Sequence, residues 1–175
     1  MYLFYAIKDH KFIPGRNSIL DLPPKFKLGP ADLISLDVRS IEEVMLASTQ
    51  INLFCKGHKF DSKTSYYTAL VFEEIGTNIV KYGFPLSKKD DKMIDLRLAY
   101  VNGSLVLRIM DNSPHFDVIK HIAQVANDND LTHNIGIRIM AKAAEDIKYI
   151  HIINANVLII TYNPSIILKQ NITAS

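Results

Sequence analysis

The stretch YYTALVFEEIGTNIVKY, residues 66–82, constrains this chain more than any other. Its spacing predicts a helix that is apolar on almost every side: Tyr67, Ala69, Leu70, Val71, Phe72, Ile75, Ile79 and Val80. Such a helix packs against other elements on more than one side. Glu74, Asn78 and Lys81 are spaced four and three apart, so they fall on one polar stripe along it. Burying a carboxylate, a carboxamide and an ammonium costs free energy unless something pairs with them.

The rest of the chain supplies the layers that surround this helix. Residues 33–38 alternate and read as a strand. Ser40 and Glu43 fit a capping box, with Glu43 placed to reach back to the Ser40 amide. An amphipathic helix over 40–55 follows, its apolar positions Ile41, Val44, Met45, Ala47, Ile51 and Phe54. Gly57 is expected to end it, and Asp61 or Ser62 to cap the central helix. Gly83 and Pro85 are expected to stop that helix. Runs 93–100 and 104–110 flank Asn102-Gly103, a strong hairpin signal. Residues 118–126 read as a short helix and 136–146 as another. Two β-rich runs, 148–153 and 157–162, follow, joined by a turn at Asn154-Ala155-Asn156. Strands in hairpins with segregated helices indicate an α+β two-layer sandwich. The expected sheet is mixed, mainly antiparallel, and covered on one face by helices.

Residues 1–30 differ from this body. They hold four of the seven prolines, and Pro23-Pro24 forbids a helix. They read as an N-terminal arm or linker, with a small hairpin over 2–7 and 11–13, ahead of a domain over 31–163 and a tail over 164–175. Net charge is only +2, which gives no pull towards nucleic acid or a membrane surface. A single cysteine, Cys55, rules out an intrachain disulfide and fits a reducing compartment. No signal peptide or membrane span is apparent. The six histidines show no zinc spacing.

Three segments share one chemical logic. Asn78 can offer a carboxamide oxygen to a hard cation such as Mg²⁺. Glu74, one turn earlier, can accept a proton from an attacking hydroxyl beside a terminal phosphate, and Lys81 can meet phosphate oxygens. A solvated face with an incidental Glu–Lys pair accounts for that stripe equally well. Asp111, at the end of a buried strand, can accept a hydrogen bond from the exocyclic amine of adenine; Asp111-Asn112-Ser113-Pro114 also reads as a plain turn. Gly136 opens a helix whose first amides can cradle phosphate, although a glycine there is common for ordinary reasons.

Taken in this order, the three resemble the ATP-binding superfamily shared by histidine kinases, gyrase, mismatch-repair proteins and heat-shock chaperones, the Bergerat fold. The similarity is greatest to its small bacterial branch, anti-sigma factors that are also serine-protein kinases. FEEIGTNIVKYGF resembles that branch's E-x-x-x-N box, MDNSPHFD its D-x-G-x-P-F-D box, NIGIRIMAKAAEDIKY its G-G-x-G-I/L box, and ANVLIITY its closing N-x-L-x-x-T strand. The resemblance spans 34–162. It implies that Glu74 is the catalytic base or water-orienting group, Asn78 the Mg²⁺ ligand and Asp111 the adenine acceptor. Gly136 would begin the phosphate-facing helix, Lys81 and Ser113 would lie by the nucleotide, and Thr161 would support a water in the adenine pocket. Phe116-Asp117 would close the second box. It further implies ATP and Mg²⁺ as cofactors and a cytoplasmic homodimer formed through the 40–55 helix. The partners it implies are a protein such as a sigma factor and an anti-sigma factor antagonist phosphorylated on serine. Ser113 and His115 stand where the second box usually has glycine and often proline, and His133 and Asn134 where the third has two glycines. Those departures carry an alternative: a non-catalytic module of the same fold that holds ATP weakly or not at all and acts by binding a partner.

Overall fold

A computed structural model of the chain describes residues 32–116, 118–126, 134–152 and 155–162. The expected arm, the tail, Asp117 and His133 lie outside the described residues. The first strand, β1, is Leu33–Val38. Helix α1 follows over Ile41–Gly57, with the Ser40 hydroxyl accepting from the Glu43 amide at 3.3 Å. The reciprocal bond differs from the expected one: Glu43 Oε2 takes the Arg39 amide, not that of Ser40. Two exposed apolar residues on α1, Leu46 and Leu53, and the half-exposed Met45 lie outside the core. Gly57 is the last residue of α1, as expected, and the left-handed residue of the turn that follows is Lys59, whose φ is +61°.

Helix α2 is Ser62–Asn78, starting four residues earlier than the apolar run. Asp61 caps it, accepting from the Lys63 and Thr64 amides at 2.9 and 3.0 Å and from the Thr64 hydroxyl at 2.6 Å. Burial would raise the Asp61 pKa, but the Thr64 hydroxyl and these amides outweigh that and hold it below the usual carboxylate value. Past Asn78 the chain neither stops nor stays α-helical. Ile79–Gly83 forms a π turn, closed by the Phe84 amide on the Ile79 carbonyl, and one helical turn follows over Phe84–Leu86. Gly83 therefore does not end the helix. It sits where a Cβ would lie 2.9 Å from Ser113.

The hairpin of β2, Ile94–Val101, and β3, Ser104–Asp111, turns at Asn102 and Gly103, both with positive φ. That pairing of two left-handed residues matches the twist of the strands it joins. Helices α3, Val118–Ala126, and α4, Ile135–Ala143, precede β4, Asp146–Ile152, and β5, Ala155–Tyr162. The sheet order is β1-β2-β3-β5-β4, and every pairing is antiparallel, so the expected parallel component is absent among the described strands. The architecture is α+β.

Alternation along the strands separates the two faces. Leu96 and Leu98, Leu105, Leu107 and Ile109, and Leu158, Ile160 and Tyr162 join the helices in one core, with Val71, Phe72 and Ile75 of α2 at its centre. The opposite face carries Asp95, Arg97 and Arg108, all nearly inaccessible. Arg97 and Arg108 are cross-strand partners, an arrangement that repels unless an anion lies between. Asp95 supplies it, accepting from Arg108 Nη1 at 2.8 Å and Arg97 Nε at 3.1 Å. No helix among the described residues is long and apolar enough to cross a membrane.

Candidate nucleotide site

The register of β3 and β5 sets Asp111 directly opposite Asn156, both at strand ends on the helix-bearing face. Above them lies a cavity of about 450 Å³, a size that suits a small ligand. Its walls are mostly apolar: Ile75 of α2, Ile79 of the π turn, Ile109 and Leu158 from the sheet, Val118 of α3 and Ile137 of α4. The π turn brings Tyr82 and Gly83 to the rim, and Asn78, Leu86, Ser113, Pro114, His115, Phe116, His121, Asn134 and Tyr149 complete the lining.

Asp111 is 7% exposed, yet no cation pairs with it among the described residues. Its Oδ1 accepts from the Ser113 amide at 2.8 Å, from the Ser113 hydroxyl and from Asn156 Nδ2 at 3.0 Å. Its Oδ2 has no donor among the described residues. Asn78 lines the cavity half-buried, and its carboxamide likewise has no partner among the described residues. A free carboxamide oxygen suits Mg²⁺, which takes one or two protein oxygens and completes its shell with phosphates and water. No group of three His, Cys, Asp or Glu able to hold a metal by themselves occurs among the described residues.

Glu74 and Gly136 meet, but not as expected. Glu74 Oε2 accepts from the Gly136 amide at 2.5 Å, so the carboxylate caps the N-terminus of α4, where negative charge is favoured. Neither residue lines the cavity. Gly136 is buried against α2: a Cβ there would stand 2.7 Å from Glu74 Oε2 and 3.1 Å from the Leu70 carbonyl. Its glycine serves helix–helix approach. The left-handed turn that a glycine would ease is taken by Asn134, at φ +56°.

Two expected residues are elsewhere. Lys81 is exposed and off the cavity, because the π turn inserts an extra residue and rotates it away from Glu74 and Asn78. Thr161 pairs with Val106 and Asp146 on the far face of the sheet, one residue out of phase with Asn156, Leu158 and Ile160. Cys55 is no nucleophile: burial pushes its thiol up to about 12, with the Thr68 hydroxyl offsetting part of that.

Asn156, Tyr149 and His151 are what the sequence reading missed. Asn156 opens the N-x-L-x-x-T match but also reads as a turn residue and is given no role there; β5 begins at Ala155. Counting back by twos from Tyr162 along the strand places Asn156 on the core face, which was the available signal.

No curated protein matches the chain. A profile described as the histidine kinase-like ATPase domain matches residues 34–162, nearly the whole span from β1 to the end of β5. With that match, the antiparallel α+β sheet and the cavity at its end, the chain belongs to the histidine kinase-like ATPase domain family.

Proposed function

We propose that this chain is an ATP- and Mg²⁺-binding regulatory protein whose cavity selects adenine through Asp111. The observation that carries the reading is Asp111, 7% exposed at the wall of an apolar cavity, with no cation paired to it and no donor on its Oδ2 among the described residues. A hydrogen bond to an ionised carboxylate in such surroundings is strong, and an adenine amine supplies the donor. Ile75, Ile79, Ile109 and Leu158 exclude water from the ring. Asn78 would hold Mg²⁺ through its carboxamide oxygen, and the ion when bound neutralises charge on the phosphates. Glu74 acts as a base only after releasing the Gly136 amide, which couples its action to a small movement of α4 against α2.

In its finer form the proposal follows the anti-sigma kinases that the sequence resembles. The chain sequesters a partner such as a sigma factor and phosphorylates a serine of an antagonist. Labelled ATP mixed with the chain and a purified candidate antagonist tests this. Transfer lost in Glu74→Ala supports it; no transfer removes it. A specific observation favours a second, non-catalytic reading: Glu74 is already engaged by Gly136, and no Lys or Arg lines the cavity among the described residues. That reading expects Mg·ATP binding by calorimetry with neither hydrolysis nor transfer.

A homodimer through α1 belongs to the same proposal. Leu46 and Leu53, 67% and 56% exposed, lie two turns apart on one side of α1, with Met45 beside them. Sedimentation of the wild type as a dimer, converted to a monomer by Leu46→Glu with Leu53→Glu, is the expected outcome. A wild type that stays monomeric at high concentration removes the idea.

A further inference from the structure

We propose that Asn156 is the positioning residue that sets base selectivity in this cavity, by holding Asp111 through one oxygen and leaving the other for the ligand; this rests on the adenine reading above. Asn156 is 5% exposed, and both ends of its amide are committed. Nδ2 donates to Asp111 Oδ1 at 3.0 Å and faces the Ser113 and Pro114 carbonyls at 3.1 and 3.3 Å. Oδ1 accepts from the Tyr149 hydroxyl at 2.9 Å and lies 2.8 Å from His151 Nδ1. The neighbours dictate that orientation. A flipped amide would set its oxygen against a carboxylate and two carbonyls, all acceptors, and leave Nδ2 on the Tyr149 side. The imidazole therefore presents an N–H at Nδ1 to Asn156.

The brace spans three strands: Tyr149 and His151 on β4 fix Asn156 on β5, which fixes Asp111 on β3. Its chemistry is selective in two ways. An amide is neutral, so it orients the carboxylate without supplying the positive charge that an arginine would. It also consumes Oδ1 only, so the ligand meets a single acceptor in a set direction. A base with an exocyclic amine at that position, as in a 6-aminopurine, donates to Oδ2. A 6-oxopurine sets oxygen against oxygen and leaves a buried acceptor pair unsatisfied, a penalty larger than the bond it replaces.

The test compares ATP, GTP and purine riboside triphosphate, which lacks the exocyclic amine, by calorimetry with Mg²⁺ on the full chain. Wild type is expected to prefer ATP over both. Asn156→Leu keeps the volume and removes every bond; it is expected to cut the ATP preference about tenfold. Tyr149→Phe removes only the hydroxyl that orients the amide and is expected to cut the preference about threefold, with folding intact. A preference unchanged in Asn156→Leu, or in Tyr149→Phe where the leucine variant does not fold, overturns the positioning role and leaves the adenine reading standing. A wild type that binds none of the three overturns both.

Discussion

Two buried aspartates, on opposite faces of the same sheet, show how surroundings divide structural from functional charge. Asp95 is 1% exposed and is held by Arg97 and Arg108. Asp111 is 7% exposed and meets only neutral donors, all on one oxygen. At Asp95 charge is balanced within the protein, and the guanidiniums in turn depend on it: burial lowers the Arg108 pKa, and Asp95 opposes that loss. At Asp111 the balance is left open beside a cavity. A carboxylate that the fold itself does not neutralise is one that a ligand can use.

The largest effect is expected at the first of these. Asp95→Ala strands two guanidiniums inside the protein and should lower unfolding stability by about 3–5 kcal/mol in chemical denaturation, with nucleotide affinity unchanged in whatever fraction stays folded. Asp111→Asn should do the reverse. It keeps the shape, costs about 1 kcal/mol or less of stability, and weakens ATP binding about thirtyfold by calorimetry. Equal stability losses at Asp95 and Asp111 would erase the distinction between the two faces.

A third carboxylate sharpens the contrast from the surface. Asp61 also meets only neutral donors, yet it lies at a helix start and does not line the Asp111 cavity, and Asp61→Ala should cost about 1 kcal/mol without touching nucleotide binding. Its pKa is lower folded than unfolded, so between the two values the unfolded chain binds the extra proton and stability rises with pH. The Asp61 contribution is thus fully present above its ordinary carboxylate value and is lost as pH falls through the lowered one. Denaturation of wild type and Asp61→Ala from pH 6 down to pH 2 should show the two curves converging. A gap that stays constant would mean that the cap is not electrostatic.

Periodicity and turn chemistry read locally, and here they served well. The alternation of β1 to β3, the Asn102-Gly103 turn and the Asp61 cap follow from neighbours within a few residues. The box residues Asp111 and Asn78 likewise reach the cavity that their order along the chain led us to expect. What the local pattern did not carry was phase. One extra residue in the π turn at Ile79–Gly83 is invisible to a period of 3.6, and it moves Lys81 off the stripe. Strand phase separates Thr161 from Asn156, but only the β3·β5 pairing sets Asn156 opposite Asp111. Gly136 and Glu74 are 62 residues apart, and their contact exists because α4 docks on α2.

The amino-acid sequence by itself therefore determined which segments become helix or strand and which polar side chains must find a partner, since propensity, capping and burial act over short range. Tertiary structure alone decided which of those side chains meet. That outcome depends on helix packing and strand register between segments far apart in the chain, and it placed Asn156 rather than Thr161 beside Asp111.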